Sequence, residues 1–226
     1  MKGIRIRNGA GGIQIDSNYR NVAFLRKTTL SGSEVVTIDT AAGETLAVRP
    51  QNPCIVYATS TGNGGSRWNI RRGWGSKDRS VAVECFVFGP PPELGSGGKG
   101  VRIRAPSGAV AFDSRLRYMN VYDVVPYTEG YYAPAGRILA AICSGFNYHT
   151  YVMVDPGDQE QMNDPNAIIL YSVTTDYTSV RADGSGIRIE NGGSSSWNRG
   201  YPDSVPFDDG VDGDGSPVML IDVTNL

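Results

Sequence analysis

The chain has one histidine, few lysines and no long run of helix formers in 226 residues. A single histidine, His149, leaves no His pair for a metal-dependent hydrolase, and no nucleophile elbow accompanies it. Three cysteines, Cys54, Cys85 and Cys143, lack metal-ligand spacing and cannot all pair, so buried reduced thiols are expected. No stretch approaches the roughly 20 apolar residues of a membrane-spanning helix. Met1-Lys2-Gly3-Ile4-Arg5 opens without the apolar core of a signal peptide, which points to synthesis in a cytosol. The cluster Gly95-Ser96-Gly97-Gly98-Lys99 has the composition of a phosphate loop but neither its spacing nor a following helix. No cofactor, nucleic acid or membrane insertion is expected.

What the chain does contain is a repeat. Gly3-Ile4-Arg5-Ile6-Arg7 leads to Ile13-Gln14-Ile15-Asp16-Ser17 and Arg20, and Gly100-Val101-Arg102-Ile103-Arg104 leads to Val110-Ala111-Phe112-Asp113-Ser114 and Arg117, each matched pair 97 positions apart. A shorter echo stands at Gly186-Ile187-Arg188-Ile189-Glu190. Fixed spacing marks one supersecondary unit used again. Apolar residues alternate with polar ones in both arms, so each copy reads as a hairpin with Gly11 or Gly108 supplying the turn. Arg5, Arg7, Arg102 and Arg104 fall on the face opposite the isoleucines. That face is either simply solvated or an assembly face, since arginine's planar fork suits interfaces.

With 29 glycines, 13 prolines and short Val/Ile/Thr/Tyr/Phe segments, the chain reads as all-β. Strands are expected over residues 35–39, 45–48, 54–60, 81–88, 119–125, 138–144, 148–154, 167–173 and 218–223. Residues 89–99, rich in Pro, Gly and Ser, read as a linker. The expected architecture is therefore two tandem β-sandwich-like modules, 1–88 and 100–226, each starting with a Gly-x-Arg-Ile hairpin. Gly192-Gly193-Ser194-Ser195-Ser196 reads as a flexible loop, and the strand at 218–223 as returning to the core of the second module. Residues 1–100 carry 13 Lys+Arg against 7 Asp+Glu, and residues 101–226 carry 8 against 16, giving halves of +6 and −8. Opposite halves suit a contact between neighbouring copies, or are a solvated accident.

Three groups of residues could carry contacts. Arg67, Trp68, Arg71, Arg72 and Trp74 interleave aromatic rings with cations and could form a binding loop, an assembly contact or a hairpin tip folded onto the sandwich. Tyr127, Tyr131 and Tyr132 lie between Pro126 and Pro134, either as a recognition surface or as packing. Asp208, Asp212 and Asp214 are weak metal candidates in a glycine-rich run, but no distal glutamate follows, and a solvated acidic turn is the simpler reading.

Several phrases resemble a family. Phe86-Val87-Phe88-Gly89-Pro90, the Gly/Ser linker, Gly100-Val101-Arg102-Ile103, Phe112-Asp113-Ser114 and Tyr118-Met119-Asn120-Val121-Tyr122-Asp123-Val124-Val125 look like small tail proteins of tailed bacteriophages. Ile13-Gln14-Ile15-Asp16-Ser17-Asn18-Tyr19 and Leu220-Ile221-Asp222-Val223-Thr224 are similar to the same loose group. The resemblance implies a non-enzymatic virion protein of the distal tail, at the tail tip, baseplate or fibre, made in the host cytoplasm. It further implies other tail proteins as partners, a symmetric homo-oligomer, and host attachment as an added role. The alternatives are a receptor- or glycan-binding module working through its aromatic loops, and a β-sandwich enzyme or lectin of cellular origin.

Overall fold

The computed structural model describes residues 5–7, 13–16, 21–73, 80–95, 97–126, 130–143, 148–154, 168–202, 211–212 and 217–226. Among these the fold is all-β with no helix. The first half contributes β1 (Arg5–Arg7), β2 (Ile13–Asp16), β3 (Ala23–Gly32), β4 (Val35–Thr40), β5 (Thr45–Pro50), β6 (Cys54–Ser60), β7 (Ser66–Arg72) and β8 (Val81–Gly89). The second contributes β9 (Arg102–Arg104), β10 (Val110–Asp113), β11 (Asn120–Val125), β12 (Gly130–Tyr132), β13 (Leu139–Cys143), β14 (Tyr148–Val154), β15 (Ile168–Asp183), β16 (Gly186–Pro202), β17 (Val211–Asp212) and β18 (Val218–Asp222).

The repeat is visible in the ladders. In β1–β2, Arg5 faces Asp16, Ile6 faces Ile15 and Arg7 faces Ile13; in β9–β10, Arg102 faces Asp113, Ile103 faces Phe112 and Arg104 faces Val110. Each pairing recurs 97 residues on, and each hairpin carries a register shift at the same place. The turn of the second hairpin is closed by Gly108 at φ 84°, where a side chain would be strained, with the Gly108 N–H donating to the Ala105 carbonyl at 2.9 Å.

The duplication extends through the whole sandwich. One sheet runs β11-β18-β13-β5-β8-β3; the other runs β12-β16-β15-β6-β7-β4, with β14 on β15 and β17 on β14. When β3, β4, β5, β6, β7 and β8 are exchanged for β11, β12, β13, β15, β16 and β18, each order reads the same from the opposite end. The two modules are thus fused side by side, each giving three strands to the main path of each sheet. They meet where Val48 of β5 pairs with Ala141 of β13, and where Cys54 of β6 pairs with Val180 of β15.

Strand alternation divides the apolar residues into two cores. Leu46, Val48, Cys85, Val87, Leu139, Ala141, Val218 and Leu220 face the second sheet, where they meet Cys54, Val56, Trp68, Ile70, Val180, Ile187 and Ile189. Ala47, Phe86, Phe88, Ala140, Ile142, Ile221 and Val223 form a second cluster. The central strands of the first sheet are therefore buried on both faces, which is why β8 and β13 read as continuous apolar runs. Val22, Phe24, Met119 and Leu226 pack on the second cluster. Val22 and Met119, themselves 97 apart, lie in lead-in segments that meet: the Met119 N–H donates to the Val22 carbonyl at 2.9 Å, the Phe24 N–H to Arg117 at 2.8 Å, and Ala23 bridges Tyr118.

Two sequence expectations change. Residues 66–72, for which a binding loop or a hairpin tip is among the readings open from sequence, form β7 between β4 and β6, because Trp68 and Ile70 alternate into the core. Gly192 to Ser196 lies within β16, with Ser194 opposite Asp176 and Ser195 opposite Thr175, and the ladder shifts register between Ser194 and Asn191, so the glycines mark an irregularity inside a long strand rather than a loop. The echo at Gly186 opens β16, which pairs with β15 and β12. The strand near the C-terminal end behaves as anticipated, since β18 lies between β11 and β13 and buries Val218 and Leu220.

Candidate functional site

The arginines of the second hairpin are engaged within the chain. The Nε of Arg102 donates to Asp113 Oδ2 at 2.8 Å, its Nη1 to Glu93 Oε1 at 3.0 Å, and its Nη2 to the Leu94 carbonyl at 2.6 Å. Arg104 grips both oxygens of Glu93 and also reaches the Gly108 carbonyl at 2.8 Å. Arg115 brackets Asp113 through Nε and Nη2 at 2.9 and 2.6 Å, and its Nη1 also reaches the carbonyls of Gly95 and Gly97. The stretch expected to be a linker is therefore strapped to the hairpin at Glu93, Leu94, Gly95 and Gly97. The Arg115 guanidinium, followed by the Arg115 backbone N–H and Arg102, holds the buried Asp113 carboxyl well below the usual carboxylate range against the opposing effect of burial. Arg104 likewise lowers Glu93. Sequence alternation places Arg102 and Arg104 on the outer face but does not reveal that Glu93 and Arg115 would occupy it. Arg5 and Arg7 sit at the matching register positions of β1.

The tryptophan and arginine group separates in space. Trp68 is 6% exposed and belongs to the core, its Nε1–H donating to Thr40 Oγ1 at 3.0 Å. It therefore offers no ring face to a ligand, and it lies within β7, between Ile38 of β4 and Ala58 of β6, rather than at a hairpin tip. Arg67 is exposed and forms a forked pair with Asp39 directly across the strands, at 2.8 and 3.0 Å. Arg71 and Arg72 are half-buried at the end of β7, and the Arg72 N–H donates to the Glu34 carbonyl at 2.9 Å. Trp74 lies outside the described residues.

The tyrosines divide as well. Tyr131 is 48% exposed, with the Arg188 guanidinium 4.9 Å from its ring centre and its hydroxyl donating to the Asp183 carbonyl at 3.1 Å. Arg188 is held in turn by Asp183 at 2.9 Å. Tyr132 turns inward and packs against the larger core. Tyr127 lies outside the described residues. So do Asp208 and Asp214; Asp212 is on β17, its backbone opposite His149 of β14. Among the described residues no three His, Cys, Asp or Glu side chains gather in a way that could hold a metal.

A surface that the sequence reading missed is β11. Its residues from Asn120 to Val124 are all exposed, with Val121 at 43%, Tyr122 at 40% and Val124 at 52%. Asp123 lies among them and accepts its neighbour's Val124 N–H at 2.8 Å, while Arg137 stands 5.5 Å from the Tyr122 ring centre. Three apolar residues within four positions on an edge strand are an unusual exposure, since edges are commonly protected by charge. The signal in the sequence is that Val121-Tyr122-Asp123-Val124 lacks strict alternation, so no face of the strand is wholly polar.

Chemically, these surfaces offer charge and contact area. Burial pushes the three thiols, Cys54, Cys85 and Cys143, up to about 12, far from the thiolate form that reacts. No protein-family model matches this chain, and neither curated proteins nor solved structures give a match.

Proposed function

We propose that this chain is a non-enzymatic structural protein of the distal tail of a tailed bacteriophage, made in the host cytoplasm and assembled into the virion through contacts with other tail proteins. The observation that carries this reading is the exposed, apolar edge strand β11, which has the character of a surface that is covered in an assembly. The phage-like phrasing of residues 86–125 supports the setting. Immunogold labelling of tailed particles tests the proposal: label at the tail's distal end is expected. Absence of the protein from particles, or turnover of glycans or esters by the isolated protein, would overturn it.

A second reading, recognition of a host glycan, is favoured by Tyr131 and Arg188, an exposed ring with a cation fixed over it. Replacing Tyr131 by Ala distinguishes the two. Loss of adsorption with intact particle assembly supports recognition, and loss of assembly supports the structural role.

A further inference from the structure

The two edges of the first sheet are counterpart strands with opposite chemistry. At one edge β11 presents Val121, Tyr122, Asp123 and Val124, its one charge being acidic. At the other, β3 presents Arg26 and Lys27 with no acid of its own. Arg26 holds Glu44 at 3.3 Å and Lys27 holds Glu84 at 2.6 Å, yet their side chains remain 46% and 38% exposed. The halves that carry these edges differ in the same sense, +6 for residues 1–100 and −8 for residues 101–226. Every step from β11 to β3 is antiparallel, five in all, so β3 runs opposite to β11. A second copy in the same orientation therefore brings its β3 to β11 in antiparallel sense.

We propose that β11 of one copy pairs with β3 of a second copy, extending the first sheet head to tail. Asp123 is pinned beside the strand by the Val124 N–H and meets Arg26 and Lys27 of the second copy, while Val121, Tyr122 and Val124 lose their exposure. Pairing β11 with β11 would instead bring two Asp123 carboxylates together, and pairing β3 with β3 would crowd four cations. A contact between two different edges is heterologous and leaves one free edge of each kind, so it builds a ring or a filament. The inference stands on the edge chemistry and holds whether or not the protein belongs to a phage tail.

Sedimentation velocity and native mass spectrometry of the purified chain over a range of concentrations and salt test it. Species larger than a dimer are expected, weakening as salt rises. Val124→Lys blocks one edge and Thr29→Glu, at an exposed position of β3, blocks the other; Arg26→Glu provides a second β3 variant in case either fails to fold. Each variant alone is expected to be monomeric, and a mixture of Val124→Lys with Thr29→Glu to form a one-to-one dimer that grows no further. A wild-type chain that stays monomeric at every concentration overturns the proposal. So does a Val124→Lys chain that associates like wild type, or β3 variants that both still dimerise through β11. Because none of these readouts uses phage particles, failure here is distinct from failure of the tail reading.

Discussion

Arg102 and Asp113 face each other across the β9–β10 hairpin and are joined at 2.8 Å, while Arg5 and Asp16 occupy the same opposed positions across β1–β2. The repeat thus preserves a position for an ion pair as well as a strand pattern.

The pH dependence of the second hairpin follows from Asp113. Its carboxyl is held below the usual range in the folded chain, so its stabilisation is complete above the unfolded value of about 3.9 and fades as pH falls toward the folded value. Asp113→Asn is expected to lower the urea midpoint at pH 7, with the gap to wild type narrowing at pH 3. An equal gap at both pH values would show that the charge of Asp113 contributes nothing.

Thr40 is the partner of the buried indole. Thr40→Val leaves the Trp68 N–H without its acceptor and is expected to cost about 1–3 kcal/mol. Trp68→Ala removes the ring from the larger core and is expected to cost about 3–5 kcal/mol. The two losses should be less than additive in a double-mutant cycle followed by denaturant unfolding. A Thr40→Val chain as stable as wild type would sink the assignment.

The thiols are expected to be silent in the folded protein. Cys54, Cys85 and Cys143 are buried and raised to about 12, so a thiol reagent at pH 8 should label none of them until denaturant is added. Fast labelling of any one in native buffer, read by mass spectrometry, would contradict their placement in the core.

Two glycines should fail for different reasons. At Gly186 a Cβ would collide with the Tyr132 carbonyl and with Ala133, so Gly186→Ala must push β12 away from β16. At Gly108 there is open space but φ is +84°, so Gly108→Ala pays only local strain, about 1 kcal/mol. Thermal unfolding should rank Gly186→Ala as the more damaging, and the reverse order would refute the packing of β12.

The legible parts of the fold are those where local pattern and final environment agree. Residues 54–60 and 148–154 coincide with β6 and β14, and the 97-residue spacing anticipates the register of both hairpins. β3 was not legible, because Arg26-Lys27-Thr28-Thr29 runs along an edge and breaks alternation. The core position of Trp68 was obscured by its charged neighbours Arg67 and Arg71, which point the other way on the same strand. Nor could the strap at Glu93 and Gly95 be read, since it depends on Arg102 and Arg104 from the first arm of a hairpin converging with Arg115 from the turn beyond its second arm. The β11 edge is visible only once the sheet order shows that, among the described residues, no strand pairs beyond it.

The inner position of β18 constrains how the protein is made. Residues 218–222 lie between β11 and β13, and the seam joins residue 48 to 141 and residue 54 to 180. Until residue 222 has left the ribosome, the first sheet has a gap in its interior, and the earlier strands wait with apolar faces open. Completion of the sandwich is thus a late event dominated by distant pairings, which makes for slow folding and gives the nascent chain a window in which chaperones matter.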